Sequence, residues 1–245
     1  MKRLLSFAVI ASLLFTPAVN AAPKKISVKP MQLLTTVGTP DEVSGVVASG
    51  KSLIVFGSKA SKAYARAVDT TGKEIWNLSL DSSAASIATA AAVDSVGDIW
   101  IAGATPLSLG LTPPSPSPTP VNPDNASVPP TSTLSNLQAL AVWKISAAGS
   151  LLSANTMPTS SVLFPTSISV DRNGASVVGI IGSEKGSAGF LVNTDKAGLF
   201  GKMLQIGLVS TTADAVVRHT DGSFTVAGSS SEALAGKKLA GVTDG

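Results

Sequence analysis

One histidine, a few aspartates beside glycines, three tryptophans and a serine pair are the side chains of this 245-residue chain whose types could do chemistry. His219 is the single histidine, which removes multi-histidine metal sites and leaves a Ser-His-Asp relay resting on one base. It stands in VVRHTDG beside a turn, where a histidine is more often a surface or cavity side chain than a catalytic base. Asp94 and Asp98, with Asp171 and Asp221 at related turns, have the carboxylates that calcium accepts. Aspartate also caps tight turns, which explains Asp94, Asp171 and Asp221 without a metal, and no D-x-[DN]-x-[DN]-G loop occurs. Trp76, Trp100 and Trp143 would suit sugar stacking if exposed. All three lie in alternating strand patterns, which favours burial between sheets with each indole N–H satisfied locally. Ser160 and Ser161 sit in no G-x-S-x-G elbow, and no glycine-rich nucleotide loop leads into a helix. The sequence therefore assigns no catalytic, cofactor-binding or metal-ligating residue and no cofactor.

The elements that would position these residues recur. Val93 to Thr105, VDSVGDIWIAGAT, reads as strand, tight turn and strand, with Asp94 and Gly97 bracketing the turn. Ile99 and Ile101 fall on one face and Trp100 and Ala102 on the other. Both faces are apolar, so this hairpin is expected between two neighbouring layers. Val46–Ser58, Ser169–Ser183 and Val216–Ser229 repeat the pattern, placing turn glycines at Gly50, Gly97, Gly174 and Gly222, spaced 47, 77 and 48 residues apart. A second ladder follows in Ala63–Leu80, Ala139–Met157 and Gly189–Gly207, with glycines at Gly72, Gly149 and Gly198 spaced 77 and 49 apart. Four strands per repeat follow, and the long interval in both ladders marks one insertion.

That insertion spans 106–138, holds nine of the fifteen prolines and contains runs such as TPPSPSPTPVNP. Such a segment cannot join a sheet ladder and is expected to be solvated and extended. It separates the second strand of its repeat from the third, so it leaves from the same end as the links between repeats. Docking in an aromatic groove is the alternative to a tolerated loop or spacer.

Met1 to Ala21 has the three parts of a secretory signal peptide: Lys2 and Arg3, the apolar Leu4–Phe15, and TPAVNA with small residues at Val19 and Ala21. Cleavage is expected after Ala21, giving a secreted, periplasmic or cell-surface protein with no stable membrane span. The apolar run is short of the ~20 residues a membrane helix needs. With no cysteine, lipid attachment at the N-terminus, disulfides and thiolate metal sites are excluded. Removing Lys2 and Arg3 from the 18 basic residues leaves 16 against 15 acidic ones, so the pI of 9.2 is mostly owed to the leader. No basic stripe interleaved with aromatics supports nucleic-acid binding. Lys24, Lys25 and Lys29 read as a solvated tail. Within the lead-in, 22–42, Pro30–Gly38 reads either as a strand lent to the last repeat or as a simple approach to the first.

Repeats of this length, four strands each, with D-x-x-G in the inner hairpin and an AG or GS close, resemble the β-propeller repeats of secreted bacterial proteins. AVDTTGKEIW, Ala67–Trp76, is similar to the blade signature of quinoprotein-like propellers, in which the glycine turns the chain and the tryptophan docks on the adjacent blade. The second and third repeats carry SAAGSLLSA and TDKAGLFGK, without that tryptophan. A quinoprotein dehydrogenase would imply a bound quinone and calcium, but no acidic and amide ligand set matches here. The vicinal cysteine pair of many such enzymes is also missing.

The expected fold is all-β: a propeller-like series of four antiparallel strands per repeat, over 43–89, 90–167, 168–214 and 215–245, the last incomplete. Parallel β-helix is the alternative, but its rungs are shorter and hairpins imply antiparallel neighbours. The expected function is an exported, non-catalytic binding or cell-surface module for a protein, glycan or wall ligand. A propeller enzyme of quinoprotein-like or glycan-acting type is the other class. The scarcity of acid-base groups favours the first.

Overall fold

Tight turns of one kind set the strand ends. In four of them an Asp or Ser is followed three residues later by glycine, as at Asp69, Asp94, Ser146 and Asp195. At Asp69 the residue's N–H donates to the Lys73 carbonyl and the Gly72 N–H to the Asp69 carbonyl. The Asp69 carboxylate accepts the amides of Thr71 and Lys73. Asp94 and Asp195 repeat this, and Ser146 does so with its hydroxyl on the Ser150 amide. Gly72, Gly97, Gly149 and Gly198 all have φ between 85° and 92°, which costs a residue with a Cβ but not glycine.

The computed structural model describes residues 42–81, 85–107, 137–234 and 236. The expected leader, most of the lead-in, the body of the insertion and the last nine residues lie outside them. The described residues belong to one compact unit, Leu34–Gly245. They form an all-β chain of four antiparallel sheets, each a meander in chain order. The first sheet orders β1 (Glu42–Ser49), β2 (Ser52–Lys59), β3 (Lys62–Val68) and β4 (Glu74–Ser79). The second orders β5 (Ile87–Val93), β6 (Ile99–Thr105), β7 (Ala139–Ile145) and β8 (Leu151–Pro158). The third contains β9 (Leu163–Asp171), β10 (Gly174–Ser183), β11 (Gly186–Asn193) and the short β12 (Leu204–Ile206). Among the described residues the fourth has two strands, β13 (Ala215–Arg218) and β14 (Phe224–Ala227), and no helix is long and apolar enough to cross a membrane.

The sheets pack face to face, with β1 against β5, β5 against β9 and β9 against β13. Alternation along β6 supplies two interfaces at once. Ile99 and Ile101 join Ile54, Phe56 and Ala65 of the first sheet, while Trp100, Ala102 and Ala104 join Val177, Phe190 and Val192 of the third. All seven residues of β6 are buried, and Lys144 is the only residue of β7 that is not. The fourth strands are wetter: Ile75, Leu152 and Leu204 are each more than half exposed.

In each of the three larger sheets the first strand bulges near a glycine of the second. The bulges fall at Val43/Gly45, Ala88/Ala90 and beside the Val178/Gly179 step. A Cβ on Gly57, Gly103 or Gly179 would lie 1.9, 2.1 or 2.2 Å from the carbonyl oxygen of Glu42, Ile87 or Phe164. That close approach is the physical reason for the small-residue close of each hairpin. In the third sheet the glycine so used is Gly179, not the Gly182 of the GS close.

Candidate functional site

Antiparallel meanders bring side chains of distant sequence to two ends of the sheets. One end holds the D-x-x-G turns; the other holds the links between sheets and the root of the insertion, between Thr105 and Ala139.

At the turn end the charged groups are engaged with one another. The Asp94 carboxylate accepts the amides of Val96 and Asp98 and, at 3.0 Å, the indole N–H of Trp100. Lys144 Nζ lies 3.1 Å from Asp98 Oδ2, 3.7 Å from Asp94 Oδ2 and 4.9 Å from the Trp100 ring centre. The cation thus closes the carboxylate pair that calcium would have needed. Asp171 pairs with Arg218 of the next sheet at 3.1 Å, and Arg218 also donates to the Ala175 carbonyl at 3.1 Å. Burial pushes the Asp171 carboxyl up, but the Asn173 amide and the Arg218 charge outweigh it and hold the group below the usual range. Asp221 accepts the Ser223 hydroxyl and amide, which lower its pKa in turn. His219 Nε2 lies 2.9 Å from the Thr225 hydroxyl, so that contact pairs the ring with a neutral group and not with a carboxylate. Among the described residues no three His, Cys, Asp or Glu side chains converge as a metal group.

The tryptophans form no shared platform. Trp100 and Trp143 are buried at 1% and 2% exposure in different clusters. Trp76 is half-buried and reaches across to the second sheet, where Nε1 donates to the Ala147 carbonyl at 3.3 Å. Its ring lies over Gly149, whose added Cβ would stand 2.5 Å from Trp76 Cγ. The indole N–H is therefore satisfied across sheets, not locally. Sequence reasoning missed the counterpart one sheet on. Asn155 donates to the Ala197 carbonyl at 3.1 Å, and its Nδ2 would be 2.8 Å from a Cβ on Gly198. Trp76 follows its turn glycine by four residues and Asn155 follows Gly149 by six, so a search at fixed spacing passes over it.

At the link end a cavity of about 440 Å³ opens at the edge of the third sheet. Ser160 and Ser161 come from the β8–β9 link, Ser183, Glu184 and Lys185 from the β10–β11 hairpin, and Gln205 from β12. A second cavity, of about 400 Å³, lies at the insertion root beside Asp81, Thr105, Trp143 and Thr156. Glu232 braces the first. Its carboxylate takes the amides of Leu208 and Val209, which hold its pKa below the usual range, and the Thr211 hydroxyl. The structure thus brings Ser160 and Ser161 into a cavity and leaves His219 at the opposite end. No motif announces this cavity, because its walls come from three segments about 22 residues apart.

No family model matches the chain, and no curated protein matches it.

Proposed function

We propose that this chain is an exported, non-catalytic binding module of propeller type. Its sheets act as blades, and its link-end loops present a surface to a protein, glycan or wall partner. The observation that supports the reading is the repetition of one packing step. Each first strand lies against the first strand of the next sheet, and an outer-strand side chain, Trp76 or Asn155, reaches the turn of the following sheet. A step that recurs with the same partners is how radial blades stack. The polar groups with chemical potential at the turn end are spent on turns and ion pairs, whereas the link end carries open polar cavities and the insertion. Binding surfaces concentrate on such loops over a rigid scaffold.

The test uses the chain beginning at Ala22, incubated with washed cell-envelope material. Saturable retention is expected, lost when link-end residues Ser160 and Lys185 are changed and kept when turn-end residues Thr71 and Lys196 are changed. Lack of retention would overturn the reading. So would dye reduction with an alcohol or sugar in the presence of pyrroloquinoline quinone and calcium.

A further inference from the structure

The geometry points to a short neutral saccharide as the occupant of the link-end cavity of the third sheet, a reading that rests on the binding-module proposal. At about 440 Å³ the space falls within the ~300–1,000 Å³ of small-ligand pockets. Its walls are held before any ligand arrives. The Ser183 hydroxyl donates to the Leu208 carbonyl at 2.6 Å, the Gly182 amide to the Val162 carbonyl at 2.9 Å, and the Thr159 hydroxyl contacts the Ser161 carbonyl at 2.8 Å. Glu232 fixes the amides of Leu208 and Val209 behind that wall.

The lining chemistry selects among ligand classes. The hydroxyls of Ser160 and Ser161 and the amide of Gln205 each donate and accept, which matches a ligand dense in hydroxyl groups. Lys185 is the one cation in the lining and Glu184 stands next to it in the chain, so the site has no net charge to hold a phosphate or sulfate ester. Leu208, half exposed, is the one large aliphatic surface, enough for the C–H face of one sugar ring and too little for an apolar ligand. Gly182 lies against the serine pair: an added Cβ would pack on Ser161, 3.4 Å from its Cβ and 3.9 Å from its Oγ, so a larger side chain there covers those hydroxyls.

The experiment is a titration of ¹H–¹⁵N spectra of the chain from Ala22 with maltose, cellobiose and diacetylchitobiose, and separately with glycylglycine and inorganic phosphate. Expected are saturable shifts at the Ser160, Ser161, Ser183 and Gln205 amides with at least one disaccharide. Affinity should fall by about tenfold or more in Gly182→Leu, which covers the serine hydroxyls, and less in Gln205→Ala, which removes one hydrogen-bonding group. No disaccharide moving these amides, or saturation by glycylglycine or phosphate instead, overturns the proposal. If Gly182→Leu fails to fold, Gln205→Ala carries the comparison alone, and unchanged affinity there counts against the site. Envelope retention without saccharide shifts removes the cavity reading and keeps the module. Saccharide shifts without envelope retention keep the site and a glycan-binding module and remove the cell-envelope partner.

Discussion

Asp171 and Arg218 join the third and fourth sheets through one salt bridge whose side chains are 14% and 13% exposed. Replacing Asp171 with Asn keeps the shape and removes the charge. The loss expected at neutral pH is about 1 kcal/mol, the upper end for an ion pair, because Arg218 Nε meets the carboxylate without hydrogen-bond geometry. The sign of the pH effect follows from the lowered pKa. Above the ordinary value of 3.8 the carboxylate is ionised in both states and its contribution is complete; it is lost as pH falls through the lower folded value. Thermal melts of wild type and Asp171→Asn should therefore converge on acidification, and a constant difference across that range would refute the assignment. The sequence already read Asp171 as a turn cap, and it is one, through the Asn173 amide. Its second partner was not legible, since Arg218 lies 47 residues away and only sheet packing brings the two together.

At the scale of the hairpin, one glycine type does two different jobs. Gly50 and Gly149 both have positive φ, 58° and 85°. Nothing lies within 4 Å of a Cβ on Gly50, whereas one on Gly149 would strike the Trp76 ring at 2.5 Å. Gly50→Ala should cost only the backbone term, about 1 kcal/mol. Gly149→Ala adds the displaced ring and should cost about 2–4 kcal/mol. Denaturant titration separates them, and equal losses would mean that Trp76 does not brace the turn. In the double variant Trp76→Ala/Gly149→Ala the costs should sum to less than the two singles, because both act on one contact. The glycine ladders made these turns readable because φ > 0 leaves a chemical signature. The bulge positions were not readable in the same way: the latter half of β10 offers two glycines, Gly179 and Gly182, and only the approach of the Phe164 carbonyl distinguishes them.

For the whole molecule, the strand register shows how the insertion is carried. Thr105 and Ala139 are paired directly across β6 and β7, so a short turn can join them. Replacing residues 108–136 with a brief Gly-Ser turn should leave the β spectrum and Tm nearly unchanged, as each doubling of loop length costs only about 0.6 kcal/mol. A cooperative loss of structure would show that the segment contributes to the core. Expression with the leader intact should yield exported protein whose mass corresponds to Ala22 as first residue. Exported protein that retains Met1 would refute cleavage after Ala21.

The all-β class, the antiparallel hairpins and the two-faced apolar character of β6 were determined by the sequence itself. Each rests on local rules: alternation of side chains, turn chemistry and the φ that glycine permits. Which glycine faces a bulge, that Asn155 does in the second sheet what Trp76 does in the first, that Lys144 closes the Asp94–Asp98 pair, and that three separated segments enclose a polar cavity were decided only by tertiary structure. Those features depend on distances between residues tens of positions apart, and such distances are set by how sheets stack, which no local pattern encodes.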